Sequence, residues 1–430
     1  MAKPLKIAIA GLGNVGAGTV KLLAENADLL TRRCGRPLVV TAVSARDRKR
    51  ERGIDLSRAA WFDDPVRLAA EADADVIVEV IGGSDGAAKS VVETAIGRKR
   101  DVVTANKALL ALHGAALARA ADQAGVSLAF EAAVAGGIPI VKALREGLAG
   151  NRITRVYGIL NGTCNYILST MRKSKREFGD VLAEAQKLGY AETDPSFDID
   201  GIDTAHKLAI LTSLAFGCEV NYAGVHVEGI RHISPLDIEY AAELGYRIKL
   251  LGSAKLTEHG VEQRVHPCMV PMDVPIAHVE GVLNAVVATG NFVQDSVFEG
   301  RGAGAGPTAS SVASDLIDIA VGRRMPAFGI PAKDLAKLAV SPMERHSGEY
   351  YVRLTVQDRP GVIADVAAAL RDERISMAAM IQRGKSPDNI VPVVLMTHAT
   401  EEAAMTRALA RIGRFEAVVQ PPRMIRIETL

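Results

Sequence analysis

The sequence predicts an α/β protein in three parts: a doubly wound parallel sheet, an α+β middle domain and a ferredoxin-like C-terminal unit. Three observations carry this. Short apolar runs alternate with helical patterns through the first third of the chain. The alternation gives way to antiparallel-type strands and longer helices after about residue 150. The last 80 or so residues run strand, helix, strand, strand, helix, strand. A chain of 430 residues exceeds one ordinary core, so two or three domains are expected.

In the first part, strands are predicted at residues 5–10, 38–43, 75–80, 101–105 and 126–130, with helices at 15–30 and 108–123 between them. Strand and helix alternating in this way imply a parallel sheet covered on both faces. The middle part holds a strand at 153–160, helices at 180–189 and 201–217, and a strand at 246–256. A glycine cluster at 300–307 (GRGAGAGP) then precedes a helix at 310–322. Residues 323–348, richer in proline and charge, read as a linker. The final unit has strands at 350–356, 375–382, 390–398 and 415–420 and helices at 361–373 and 401–412, the βαββαβ order of ferredoxin-like units. The domain boundaries are 1–135, 136–322 and 349–430, with a return to the first domain near 300–322. The linker is expected to make the last unit separable from the rest.

Composition narrows the function. Hydrophobic residues make up 48%, enough for packed domains. The net charge of +1 gives no broad footprint for nucleic acid, although 46–53 (RDRKRERG) is locally basic. Cys34, Cys164, Cys218 and Cys268 are scattered without a CxxC, so neither a zinc site nor a disulfide framework is predicted. The N-terminus lacks a secretory pattern and no apolar run is long enough to span a bilayer, so a cytoplasmic protein is expected.

Residues 11–16 (GLGNVG) match G-x-G-x-x-G between a predicted strand and a predicted helix, the context this dinucleotide-binding motif requires. Gly11 serves the tight turn, Gly13 the approach of a pyrophosphate and Gly16 close packing, while Leu12, Asn14 and Val15 complete the loop at a helix N-terminus. The first domain is therefore of the Rossmann type. At the end of the second strand, Ser44 and Ala45 are followed by Arg46 and Asp47. Arg46, with Lys49 or Arg50, suits the 2′-phosphate of NADP, and Asp47 keeps NAD as the alternative.

The stretch 189–207 (GYAETDPSFDIDGIDTAHK) gathers Glu192, Asp194, Asp198, Asp200 and Asp203 before Lys207. Asp203 and Lys207 share a helix face if 201 onward is helical. Such a pair is commonly a surface ion pair worth under ~1 kcal/mol. Asp200, before Gly201, reads as an N-cap, and Asp194, before Pro195, as a turn former.

This stretch, with 103–110 (VTANKALL), 131–140 (EAAVAGGIPI) and the glycine motif, resembles homoserine dehydrogenase over the whole chain. Residues 355–370 resemble the ACT domain, an amino-acid-sensing module, so the chain looks like the long, monofunctional bacterial form. The resemblance implies interconversion of L-homoserine and L-aspartate 4-semialdehyde. Aldehyde reduction needs a hydride donor, a proton and a clamp for an ammonium and a carboxylate. The resemblance implies that Lys207 moves the proton with Asp203 beside it, that Glu192 and Asp198 face the substrate, and that Lys107 lies between substrate and cofactor. Thr104 and Ala105 would flank the nicotinamide ribose, and Gly302 would contact the cofactor. Glu131, Val134, Gly136 and Ile138 match a loop that holds Na+. The ACT unit implies threonine as effector, in a homodimer or homotetramer. Two rival readings are a non-catalytic amino-acid sensor and aspartate-semialdehyde dehydrogenase, which needs a reactive cysteine. Cys164 is read as a packing residue.

Overall fold

The computed structural model describes residues 3–383 and 389–429. Six strands form the first sheet: β1 (Leu5–Ala10), β2 (Leu38–Ser44), β3 (Ala60–Phe62), β4 (Val76–Glu79), β5 (Asp101–Thr104) and β6 (Leu128–Ala129). All pair in parallel, in the order β3-β2-β1-β4-β5-β6. This is the doubly wound dinucleotide-binding order. Alternate residues of β1 enter two different cores, as the period of a strand requires. Ala8 and Ala10 pack with Leu68, Val91 and Leu110 of the helices on one face. Ile7 and Ile9 pack with Val20, Leu23, Val312 and Leu316 on the other. The last two belong to the helix Ala305–Ala320, so the chain returns to this sheet after building the middle domain.

The middle domain contributes β7 (Ile153–Ile159), β8 (His226–Val227), β9 (Tyr246–Thr257), β10 (Gly260–Pro271), β11 (Leu283–Gly290) and β12 (Gln294–Arg301). The helices Gly162–Ser174 and Ile202–Phe216 accompany them. The terminal unit contributes β13 (Ser347–Gln357), β14 (Met377–Gln382), β15 (Ile390–Thr397), the two-residue β16 (Thr400–Glu401) and β17 (Val418–Ile427). These are not two separate sheets. β17 pairs antiparallel with β13 and parallel with β10, giving one path β12-β11-β7-β9-β10-β17-β13-β15-β14.

That junction differs from the separable unit the sequence predicts. It is buried and ionic. Arg264 meets Glu428 at 2.9 Å, and Arg353 meets Asp237 at 2.7 Å, with Tyr351 donating to the same carboxylate. Residues 323–348 are likewise docked rather than free. Phe328 packs on Phe130 with ring centroids 5.1 Å apart, and the amides of Ala336 and Ser341 donate to Gly217 and Val261. Apart from the short 3-10 turns Ala332–Asp334 and Met343–Arg345, they run as loop across the body of the protein, which suits their proline and charge content. Among the described residues no helix is long and apolar enough to cross a membrane.

Candidate active site

The glycine motif is the turn between β1 and the helix Asn14–Glu25. Gly11 has φ +108°, and a Cβ there would lie 2.6 Å from the Val80 carbonyl oxygen, so only glycine fits. Gly13 caps the helix with no side-chain partner and faces a cleft of about 540 Å³. The amides of Asn14, Val15 and Gly16 at the helix start are thus free to meet an anion. The turn fits a pyrophosphate.

Arg46 and Arg50 line the same cleft at the end of β2. Asp47 lines it too, and accepts the Lys49 amide at 2.8 Å through one carboxylate oxygen. Arg52 fastens this arginine-rich loop to the glycine turn. Its guanidinium donates to the carbonyls of Leu12 at 3.0 Å, Arg50 at 2.6 Å and Asp47 at 2.5 Å. Sequence reading passes over Arg52 because its partners are main-chain oxygens.

A second cleft, of about 390 Å³, is lined by Lys107, Asn161, Asp198, Asp203, Lys207 and Gly302. Lys107 begins the helix Lys107–Ala124, whose cap is Asn106. Asp203 and Lys207 lie one turn apart on Ile202–Phe216. They are not a surface pair: Asp203 is 2% and Lys207 7% exposed. The Lys207 Nζ donates to Asp203 Oδ2 and to the Leu160 carbonyl, both at 2.7 Å. Lys107 Nζ meets Asp203 Oδ1 at 2.8 Å. Asn161, which caps the helix Gly162–Ser174, donates through Nδ2 to Asp198 at 2.8 Å and to Asp203 at 2.9 Å. One carboxylate therefore holds two ammoniums and an amide.

The electrostatics follow from this hub. Burial alone would raise the Asp203 pKa, but Lys207 and Lys107 hold it well below the carboxylate range. Burial lowers the Lys207 pKa below the ordinary lysine value, with the Lys107 charge adding to it against the pull of Asp203. For Lys107, burial works downward, but Asp203, Asp198 and Glu192 outweigh it and keep the pKa high. The two lysines are thus tuned apart: Lys107 stays charged, and Lys207 gives up its proton more easily. Asp198 is raised by burial and by Asp203. The ring of Phe197 lies 5.5 Å from the Lys107 ammonium, a cation–π contact that spacing in the sequence does not reveal.

Other predicted residues fall elsewhere. Glu192 is exposed and lines a neighbouring depression with Gln186 and Thr193. The Thr104 hydroxyl is fully buried and donates to Glu79 at 2.6 Å, and Ala105 packs against the core beneath the sheet. Asp200 is not the N-cap. Gly201 occupies that position with φ +85°, and the Asp200 carboxylate pairs with Arg231 instead. Asp194 accepts the Ser196 amide at 3.1 Å and so shapes the turn.

Three comparisons with known proteins bear on this arrangement. Family models described as "Homoserine dehydrogenase, NAD binding domain", "Homoserine dehydrogenase" and "ACT domain" match residues 11–131, 139–317 and 350–414. A homoserine dehydrogenase of Pseudomonas aeruginosa is 45% identical over 437 residues, covering 100% of both chains. The chain belongs to the homoserine dehydrogenase family. The crystal structure of a homoserine dehydrogenase from Thiobacillus denitrificans superposes with a TM-score of 0.94 at 44% identity, over 99% of this chain and 98% of that one. A hyperthermophilic archaeal homoserine dehydrogenase in complex with NADPH matches with a TM-score of 0.63 at 26% identity, over 74% of this chain and 97% of that one.

As a homoserine dehydrogenase, the chain has no use for a cysteine nucleophile. Cys164 is fully buried, its thiol pKa driven up by burial and by Asp198, Asp203 and Asp200, so it packs rather than attacks. In the loop matched to Na+ holding, Glu131, Gly136 and Ile138 all have hydrogen-bond partners, the Ile138 carbonyl accepting the Ile140 amide at 2.8 Å. The two oxygens of Glu131 already accept the amides of Val141 at 3.0 Å and Lys142 at 2.8 Å. The Gly136 carbonyl accepts from Ser311 at 2.5 Å. Burial and Asp315 push the Glu131 carboxyl up to about 7. Gly136 also presses on the Gly302 carbonyl, where a Cβ would come to 2.4 Å, which ties this loop, through Val134 to Ile138, to the rim of the catalytic cleft.

Proposed function

We propose that this homoserine dehydrogenase moves its proton through Lys207 and holds its substrate between Asp198 and the two lysines. The observation that carries the reading is Asp203, whose carboxylate grips both Lys107 and Lys207 in a cleft lined by Gly302. The nicotinamide, when bound, supplies or accepts the hydride. Lys207 has two of its three N–H groups directed at Asp203 and Leu160. The third is available to the carbonyl oxygen of the aldehyde, and gives its proton as the alkoxide forms. Lys107 stays charged and steadies the substrate's polar end. Asp198 offers a carboxylate to the ammonium, and we assign Glu192 to the same end of the substrate. The test is oxidation of NADPH by aspartate semialdehyde without added phosphate. No turnover refutes the reading, and a requirement for phosphate favours the rival semialdehyde dehydrogenase.

NADP is the cofactor we favour over NAD. Arg46 and Arg50 line the cleft, and Asp47, which lines it as well, has one carboxylate oxygen engaged by the Lys49 amide. The archaeal relative's NADPH complex accords with this. Replacing Arg46 with Ala is expected to raise KM for NADPH about 10-fold or more and leave KM for NADH nearly unchanged, since a hydrogen bond to a charged group is worth ~1.5–3 kcal/mol. Equal rises for both cofactors would make Arg46 a bystander.

We further assign threonine as an effector at the ACT unit. In the turn Asp358–Gly361, Gly361 caps the helix Val362–Asp372 with no side-chain partner, leaving helix N–H groups for a carboxylate. Gly361 has φ +95°, so Gly361→Val strains this turn without touching the catalytic cleft. The variant is expected to keep its basal turnover and lose threonine inhibition. Inhibition that survives in it moves the effector site elsewhere. Na+ at the 134–138 loop and a homodimer or homotetramer complete the reading. The cation would brace the loop and takes no part in the chemical step.

A further inference from the structure

Both acids on the floor of the catalytic cleft belong to residues 196–203, and this segment has little support of its own. The helix Ser196–Ile199 is a single turn, and the next helix starts at Ile202. What backs it is the stretch 226–231. The Ile230 amide donates to the Ile199 carbonyl at 2.9 Å. A Cβ on Gly229 would lie 2.3 Å from that carbonyl oxygen and 2.6 Å from Asp200 Cα, so the two backbones lie in direct contact. Arg231 grips both oxygens of Asp200 and donates to Ser196 Oγ at 2.9 Å. This is the real employment of Asp200.

The backing stretch is itself held from the C-terminal unit. β8 pairs with β10, and the Glu228 amide donates to Val265 at 2.7 Å. The Glu228 carboxylate accepts both terminal nitrogens of Arg426, at 2.8 and 2.9 Å, and meets His226 at 2.7 Å. Arg426 is 3% exposed and lies on β17, opposite Cys268 of β10. Its guanidinium also takes Glu402 at the start of the last helix. An unbroken line of bonds runs from Arg426 through Glu228, Gly229, Ile230 and Ile199 to Asp198.

We propose that Glu228, Arg231 and Arg426 are positioning residues for the substrate carboxylates, so that the C-terminal strand forms part of the support of the catalytic cleft. The inference rests on the reading that Asp198 holds the substrate ammonium. Displacing that carboxylate weakens substrate binding while the dinucleotide cleft, on the other sheet, is untouched.

The experiment uses the full-length enzyme. Glu228→Gln keeps the shape and removes the charge that grips Arg426. It is expected to raise KM for aspartate semialdehyde about 10-fold, because small displacements at a reacting site carry large costs, with KM for NADPH unchanged. Arg231→Lys, which loses the bidentate grip on an exposed pair, is expected to move the same constant in the same direction, and it stands in should Glu228→Gln fold poorly. Glu402→Gln breaks the other arm of Arg426 and serves as the control, with both KM values expected at wild type. Asp198→Asn is measured alongside. If Asp198→Asn leaves KM for the aldehyde unchanged, the substrate reading itself fails. If Asp198→Asn raises it while Glu228→Gln and Arg231→Lys do not, or if those two raise the KM values for aldehyde and NADPH equally, the positioning role is overturned. The same holds if Glu402→Gln matches Glu228→Gln in every constant, since Arg426 would then only dock the unit.

Discussion

Replacing Lys207 with Ala is expected to lower kcat by ~10²–10⁴-fold, the usual contribution of a positioned acid or base, and to leave NADPH affinity nearly intact. The separation of effects follows from geometry. Lys207 sits under Leu160 and Asp203 in the second cleft, whereas the glycine turn and Arg46 line the first. The pH dependence carries a sign. With Lys207 as the proton donor we propose, aldehyde reduction needs its ammonium, so the rate falls as pH rises through the Lys207 pKa. Homoserine oxidation needs the neutral amine and rises over the same range. Because burial and Lys107 set that pKa below the ordinary lysine value, both limbs fall at a lower pH than an exposed lysine would give. A Lys207→Ala enzyme with near-normal kcat, or with both limbs intact, removes Lys207 from the chemistry.

Replacing Asp203 with Asn is expected to harm stability as well as turnover. The carboxylate lies between two ammoniums, and its removal leaves Lys107 and Lys207 facing each other without a counter-charge. Breaking a buried pair from one side costs about 3–5 kcal/mol. The pH behaviour distinguishes this from ordinary core damage. The folded-state pKa of Asp203 is depressed, so its contribution is full above the normal carboxylate range and is lost as pH falls toward the folded value. Urea melts of the native enzyme should weaken on acidification below about pH 4 through this group, and the variant should show less of that slope. At neutral pH the variant should also lose most of its turnover, since Lys207 then loses the charge that keeps it protonated. A variant with native stability at pH 7 would mean that the three groups do not share one cleft in solution.

The N-terminal sheet was readable because each of its parts obeys a local rule. Alternation along β1, the glycine turn and the helix that follows all point the same way. The pairing of Asp203 with Lys207 was readable from helical spacing, but its burial was not. Burial comes from Leu160, Asn161 and Lys107, which are distant in sequence and meet only through the fold. Asp200 was misassigned because an acid before a helix is a common cap, whereas here the preceding glycine takes the left-handed turn and the acid answers Arg231. β10 shows the limit most clearly. Its Glu262, Gln263, Arg264 and His266 are all buried: Arg264 and His266 meet Glu428 of the terminal unit, Glu262 meets His346, and Gln263 donates to the Asn221 carbonyl. A charge buried against a charge looks, in sequence, like two charges in water. Glu192 illustrates the opposite gap: the family pattern singles it out, while its side chain stands outside the cleft.

The position of β17 has a consequence for biosynthesis. Of the strands described it is the last in chain order, yet it lies in the interior of the largest sheet, between β10 and β13. The catalytic cleft and both of its lysines are already translated while β10 still presents an unpaired edge, and unpaired edges recruit other chains. Arg264 and Glu228 wait over the same interval for Glu428 and Arg426, which have not yet been made. The seam between β10 and β13 therefore stays open until β17 has been made. The hazard of misassembly is concentrated in that window, and a ribosome halted before Val418 would carry a chain that already holds Lys107, Asp203 and Lys207 while its central seam is still open.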